Sequence, residues 1–378
     1  MLGSHICENR LSFKKTNSTK STLPLKDSMS ILTTTIGAWP KPTEVPIPDW
    51  FQQESTTAAN PTEALDACER CWDDDVPELL DRVTQAVVKD QISVGIDIPT
   101  DGEMRRENYI HYQCRHIEGI NFDRLTKKSM RSGAWTVSVP TITHPVKPGK
   151  PFLVRDWHVA QSAADRPVKI TLPGPMTIMD SVADEFYGSE RKLARALSET
   201  LNAEISRLAK AGCRWIQVDE PVFARDPEKA LAFGVENLER CFQGVTKGVY
   251  RATHICCGYP DRADSSDYLK APPSAYYLMA PALDAAAVDA VSIEDAHRPN
   301  DLSLLELFQN TIVILGVIGI AQTRIETIEE IESHLREALG HIEKERLIAA
   351  PDCGLGLLSR ETVLAKLSHL TQAVERIG

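Results

Sequence analysis

From Ile31 onward, short β-branched or apolar runs alternate with longer segments whose apolar residues recur three and four positions apart. The short runs predict strands at residues 32–37, 93–99, 168–172, 215–218, 251–257, 290–293, 312–317 and 347–350. Helices are predicted at 75–94, 190–211, 227–248, 264–287, 301–308, 325–345 and 360–377. The second of these aligns Leu193, Leu197, Leu201, Ile205 and Leu208 on one face and stops at Gly212, a natural left-handed end. In the first, Pro77 sits in the opening turn, where its missing N–H costs nothing. Pro272-Pro273 interrupts the fourth. Parallel strands require crossover helices, and eight of them close into a ring, so the expected fold is α/β, a (β/α)8 TIM barrel.

One stretch breaks the rhythm. Residues 104–166 hold Tyr109, Tyr112, Trp135 and Trp157 among prolines and lysines and read as a long insertion after the second strand, with a small antiparallel hairpin near 136–144. Long excursions from a regular scaffold are often binding loops.

Composition narrows the classes. With 378 residues, 42% hydrophobic and 25% charged, the chain can bury a substantial core. A net charge of -11 excludes nucleic acid and anionic membranes as expected partners. The longest nearly apolar run, 312–321, is about half of what spans a bilayer. Nine cysteines, an odd number in a long chain, favour reduced thiols and a cytoplasmic setting. Residues 1–30 stand apart, with five Lys or Arg against Glu8 and Asp27 and many Ser and Thr. They read as a disordered extension or an organelle-targeting leader, ahead of a single catalytic domain at 31–378.

In a barrel of this kind the site is assembled at the C-terminal strand ends. Those ends carry Gly37, Asp101 and Glu103, Pro173 to Pro175, Asp219 and Glu220, His254 and Cys256, Glu294, and Cys353. His254 and Cys256 are two apart on a strand and face the same way. With Glu294 and Cys353 they make one imidazole, two thiols and one carboxylate, a set suited to zinc. The carboxylate is the weakest of these ligands for a soft metal and the natural one to exchange for an incoming thiol. The competing readings are simple packing of His254 and Cys256 or a closed structural staple, for which a large barrel has little need. Cys68-x-x-Cys71 lacks partners and reads as packing. Asp219 and Glu103 suit an amino-acid ammonium, against the alternative of ion pairs with Arg105, Arg106 or Arg225.

Seven segments together resemble the C-terminal catalytic barrel of the cobalamin-independent methionine synthase family and its stand-alone relatives. They are Thr34-Thr35-Ile36-Gly37, Asp101-Gly102-Glu103, Leu172-Pro173-Gly174-Pro175-Met176-Thr177-Ile178, Ile216-Gln217-Val218-Asp219-Glu220-Pro221, His254-Ile255-Cys256, Ser292-Ile293-Glu294 and Pro351-Asp352-Cys353-Gly354-Leu355. The resemblance runs from about Thr33 to the end. It implies zinc on His254, Cys256, Glu294 and Cys353, and homocysteine held by Glu103 and Asp219 with Ile36 and Gly37 beside them. Zinc then activates the homocysteine thiol, which takes a methyl group to give methionine.

The departures fall on the methyl donor. Full-length members carry a second, N-terminal barrel that this sequence lacks. Ser181 stands where the family has a Trp that stacks on folate, and Ala38 where a Ser is common. Residues 319–324 keep Arg324 but lose a His associated with protonating the departing folate nitrogen. The folate-side Arg-Cys-Val-Lys-Pro-Pro segment has no counterpart at 133–158. His297 is the candidate replacement acid, because imidazole titrates near neutral pH. The donor is a methyl-folate or a methyl-corrinoid. Rival readings keep the zinc but open an epoxide with coenzyme M, or make the barrel non-catalytic.

Overall fold

Seven parallel strands form one continuous sheet in the computed structural model of the chain, which describes residues 30–49, 63–130, 135–245, 248–260, 262–265 and 269–378. The order across the sheet is Leu32–Thr33, Leu347–Pro351, Ile312–Ile318, Ala290–Glu294, Tyr250–Ile255, Trp215–Asp219 and Lys169–Pro173. Of the leader expected at residues 1–30, residues 1–29 lie outside the described residues.

Strand alternation divides the core in two. Ile312, Ile314, Ile348 and Ala350 join Leu32, Ile98, Trp215 and Tyr250 in an inner cluster, whereas Val313, Leu315, Leu347 and Ala349 pack outward among the helices. Trp215 and Tyr250 stack with ring centroids 4.4 Å apart inside that lumen. A sheet buried on both faces explains why its strands read as continuous apolar runs.

The expected eight-stranded ring is met in part. The predicted second strand at 93–99 forms no ladder: Ser93 is still helical, Gly95 turns the chain at φ 91, and two isolated parallel bridges join Thr34 to Ile98 and Thr100 to Lys169. Pro99 has no N–H to give, and the Asp97 carboxylate takes the Thr33 N–H at 3.0 Å, so side chain replaces backbone in the pairing. The segment nonetheless touches both outermost strands.

The insertion is larger than its sequence suggests. Strands Ile117–Met130 and Trp135–Pro148 pair antiparallel, and Ala183–Asp184 adds to the second. Lys128 Nζ donates to the carbonyls of Met179 and Val182 at 2.9 and 2.8 Å, which ties the hairpin to the helix Pro175–Ser181 at a C-terminal strand end.

Several helices differ from expectation for local reasons. The predicted helix 325–345 is Ile328–Ala338, opened by a capping box between Thr327 and Glu330. That at 264–287 is Ser274–Ala285, because Pro272-Pro273 marks its start and not a break. The helical run from Pro227 ends at Cys241 and contains a π-turn at Ala230–Gly234. Within the described residues, no helix is long and apolar enough to cross a membrane.

Lys169 is the outlier of the lumen. It is fully buried and its Nζ has no hydrogen-bond partner among the described residues. Burial pushes its ammonium down to about 7, against the pull of Asp219. Between that value and the ordinary 10.5, the unfolded chain binds more protons than the folded one. Stability therefore rises with pH across that window and carries the full penalty below it. We expect Lys169→Met to stabilise the fold by about 1–3 kcal/mol at neutral pH, the cost of an unsatisfied buried polar group. The gain should shrink toward pH 10. Urea unfolding at several pH values measures it, and a destabilised variant at pH 7 would refute the assignment.

Candidate functional site

His254 lies one residue before the end of strand Tyr250–Ile255, Cys256 just beyond it, and Cys353 two residues past strand Leu347–Pro351. Their donor atoms all lie within 4.8 Å of one another. His254 Nε2 is 3.3 Å from Cys353 Sγ, while Nδ1 is 2.9 Å from the Ser292 hydroxyl. Burial, then the charge of Lys169, pushes the His254 imidazole down to about 3, so it is neutral with one lone pair to offer. The Cys256 thiol is held well above its ordinary range by its hydrogen bond with Cys353, then by burial. The eight described cysteines are all free thiols.

Glu294 stands apart from those three donors. Its Oε1 accepts the Cys257 N–H at 3.0 Å and its Oε2 accepts Lys270 Nζ at 2.9 Å, although it also hydrogen-bonds with Cys256. The fourth expected ligand is thus turned toward the strongest donors in its surroundings, an ammonium and a backbone N–H. Tyr276 braces this end by donating to the Ile255 carbonyl at 2.8 Å and accepting the Glu294 N–H at 3.0 Å.

Of the acidic candidates, Asp219 is the register partner of His254 on the neighbouring parallel strand. Asp219 Oδ1 accepts from Gln217 Nε2 at 2.8 Å, and the same amide nitrogen donates to the Ile36 carbonyl at 2.8 Å. Glu103 accepts from the Thr171 hydroxyl at 2.7 Å and lies 3.3 Å from Arg106 Nη1. One expected ion pair, with Arg106, is therefore present, whereas Arg105 pairs with Asp81 and Arg225 with Asp180. Glu103 adopts φ 59, the left-handed region that a non-glycine residue occupies only at a cost of about 1 kcal/mol or more. Gly37 allows its approach, since a Cβ there would sit 2.7 Å from Glu103 Oε1. Burial raises both carboxyl groups above their usual range, Asp219 the more. Tyr109 links the two halves: burial first, then the charges of Asp219, Cys256, Cys353 and Glu103, raises its phenol.

Two buried carboxylates hold the loops in place. Asp352 accepts the N–H groups of Asp295, Ala296 and His297 at 2.9, 2.9 and 2.8 Å, and His297 Nδ1 lies 2.8 Å from its Oδ2. Gly316 leaves room for it, because a Cβ there would come within 2.3 Å of Asp352 Oδ1. Glu220 accepts from the Met176 and Thr177 amides, both at 3.0 Å, and burial pushes it up to about 7. His297 Nε2 faces the Ala321 N–H at 3.3 Å, so both ring nitrogens are engaged, one with Asp352 and one with the loop that lacks the expected His.

Sequence reasoning passed over Ser292, Gln217, Tyr276 and Asp352 as working residues. Period two would have found the first two, since each lies two residues before a named carboxylate and faces the same way. Tyr276 and Asp352 carry no such signal, because their partners are distant in sequence.

Residues 31–376 match the family described as "Cobalamin-independent synthase, Catalytic domain". The chain is 31% identical over 313 residues to the methionine synthase of Thermococcus kodakarensis, covering 81% of this chain and 85% of that protein. It is 28% identical over 352 residues to that of Sulfolobus acidocaldarius, covering 92% and 93%. Among solved structures, a B12-independent methionine synthase from Shewanella sp. W3-18-1, in complex with selenomethionine, superposes with TM-score 0.79 at 29% identity, over 92% of this chain and 98% of that one.

Proposed function

The chain belongs to the cobalamin-independent methionine synthase family, and on that premise we propose that it is a zinc-dependent methyltransferase acting on the thiol of homocysteine to give methionine. The observation that carries this reading is the convergence of His254, Cys256 and Cys353 within 4.8 Å, with the buried Asp219 paired to His254 on the next strand and Glu103 buried as well. One neutral imidazole and two free thiols are a donor set that fits zinc, and three protein ligands with an open position are the pattern of catalytic sites. Zinc, when bound, supplies the charge that keeps an incoming thiol deprotonated at neutral pH.

The rest follows from the chain's own groups. Ser292 holds the His254 ring at Nδ1 so that Nε2 faces the thiols. Asp219, oriented by Gln217, and Glu103 receive the ammonium of the amino acid. The homocysteine sulfur then attacks the methyl carbon, forming S–CH3 as the bond from methyl to its carrier breaks. The Shewanella relative, solved with selenomethionine, supports a product of this shape. Coenzyme M fits less well, because two carboxylates repel its sulfonate. We also read the fold as a single (β/α)8 catalytic domain in which residues 98–100 serve as the second stave.

For the donor we favour a methyl-corrinoid. A folate nitrogen leaves poorly unless protonated, and His297, with Nδ1 turned to Asp352 and Nε2 to the Ala321 N–H, presents no proton in that arrangement. A corrinoid leaves without one. Zinc-loaded protein should convert homocysteine and deuteromethyl-cobalamin into deuteromethyl-methionine, read by mass spectrometry, with 5-methyltetrahydrofolate at least about tenfold slower. Full activity after metal removal, or product from an epoxide and coenzyme M instead, would overturn the proposal.

A further inference from the structure

Among the described residues, Lys270 is the ammonium that the structure brings into a salt bridge with a predicted zinc ligand. It enters from the segment between the strand Tyr250–Ile255 and the helix Ser274–Ala285, and its Nζ donates to Glu294 Oε2 at 2.9 Å. The pair is largely shielded, with side-chain exposures of 13% for Lys270 and 4% for Glu294. The contact is built from more than one side. Ala271 N donates to the Cys257 carbonyl at 2.7 Å, Arg298 Nη1 donates to the Ala271 carbonyl, and Cys257 N holds the other Glu294 oxygen at 3.0 Å.

Each oxygen of Glu294 therefore has a donor outside the His254, Cys256 and Cys353 cluster, and the carboxylate touches that cluster through its hydrogen bond with Cys256. Resting on the zinc reading above, we propose that Lys270 is a positioning residue that competes for the Glu294 carboxylate and keeps one ligand position open to the substrate thiol. A carboxylate shared between a cation and an ammonium is more easily released than one with a single partner. An ammonium at this distance also lowers the attraction of the cluster for a divalent ion, since like charges repel in a shielded site. Removing Lys270 leaves Glu294 buried beside the metal position with one backbone N–H and a thiol as its remaining partners. The carboxylate then satisfies itself on the metal.

The test uses the full chain and the variants Lys270→Met and Lys270→Arg. Zinc affinity is measured by chelator competition, homocysteine affinity by calorimetry on zinc-loaded protein, and the ligand set by zinc-edge X-ray absorption. Lys270→Met should bind zinc about tenfold more tightly and homocysteine about tenfold more weakly, at the lower end of what groups around a metal site contribute. Its absorption spectrum should show an oxygen ligand that persists after thiol addition, and Lys270→Arg should restore all three readouts toward the original chain. Unchanged or weaker zinc binding together with unchanged homocysteine binding in Lys270→Met overturns the role of Lys270. Failure of the unaltered chain to bind zinc overturns instead the reading on which it rests, so the two failures are distinguishable.

Discussion

Cys256→Ala and Cys353→Ala should each abolish stoichiometric zinc binding and, with it, methyl transfer to homocysteine. The reason lies in the count of donors. Three protein atoms converge within 4.8 Å, and Glu294 is already engaged by Lys270 and the Cys257 N–H, so loss of one thiol leaves two firm ligands. Groups that only orient metal ligands cost about 10- to 100-fold when removed. A ligand itself should cost at least the upper figure in turnover. Metal analysis after dialysis and initial rates of methionine formation measure the two effects. The folded state should survive, because the barrel has its own core and Cys256 fills only the edge of it. If either variant kept bound zinc and normal turnover, the thiols would be packing residues and the metal would lie elsewhere.

Asp219→Asn should raise the KM for homocysteine by roughly 30- to 5,000-fold, equivalent to about 2–5 kcal/mol, the cost of losing one member of a buried charge pair. The substitution keeps the shape and a hydrogen bond to Gln217, so the effect isolates the charge. A pH signature accompanies it. Burial raises the Asp219 carboxyl well above its usual range, and an ammonium needs the ionised form. In the unaltered chain KM should therefore worsen as pH falls through that raised value. In Asp219→Asn this part of the pH dependence should disappear. A KM unchanged by the substitution would place the amino-acid end of the substrate against other groups.

The candidate ligands were legible because each stands at a strand end, where short apolar runs in the sequence stop. Period two placed His254 and Cys256 together, and the structure shows that Cys256 is already in the loop, past Ile255. The strand predicted at 93–99 forms only isolated bridges for a comparable reason. Its apolar residues Ile96 and Ile98 do point into the core, but Asp97 and Pro99 replace the ladder with side-chain and single-bridge contacts. The hairpin exceeds the predicted 136–144 because its strands mix polar and apolar residues on a sheet with little burial along its outer half.

What the sequence determined by itself was the alternation of strands and helices, the identity of the convergent thiols and imidazole, and the acidic character of the neighbouring strand ends. These depend on residue type and local period, which are present in the chain before it folds. Tertiary structure alone decided how those groups are shared. Whether Glu294 faces the thiols or Lys270, whether Glu103 pairs with Arg106, and whether His297 carries a proton toward the site or toward Asp352 are competitions between partners far apart in the chain. In a shielded interior the nearest opposite charge or donor wins each of them, and nearness is set by packing.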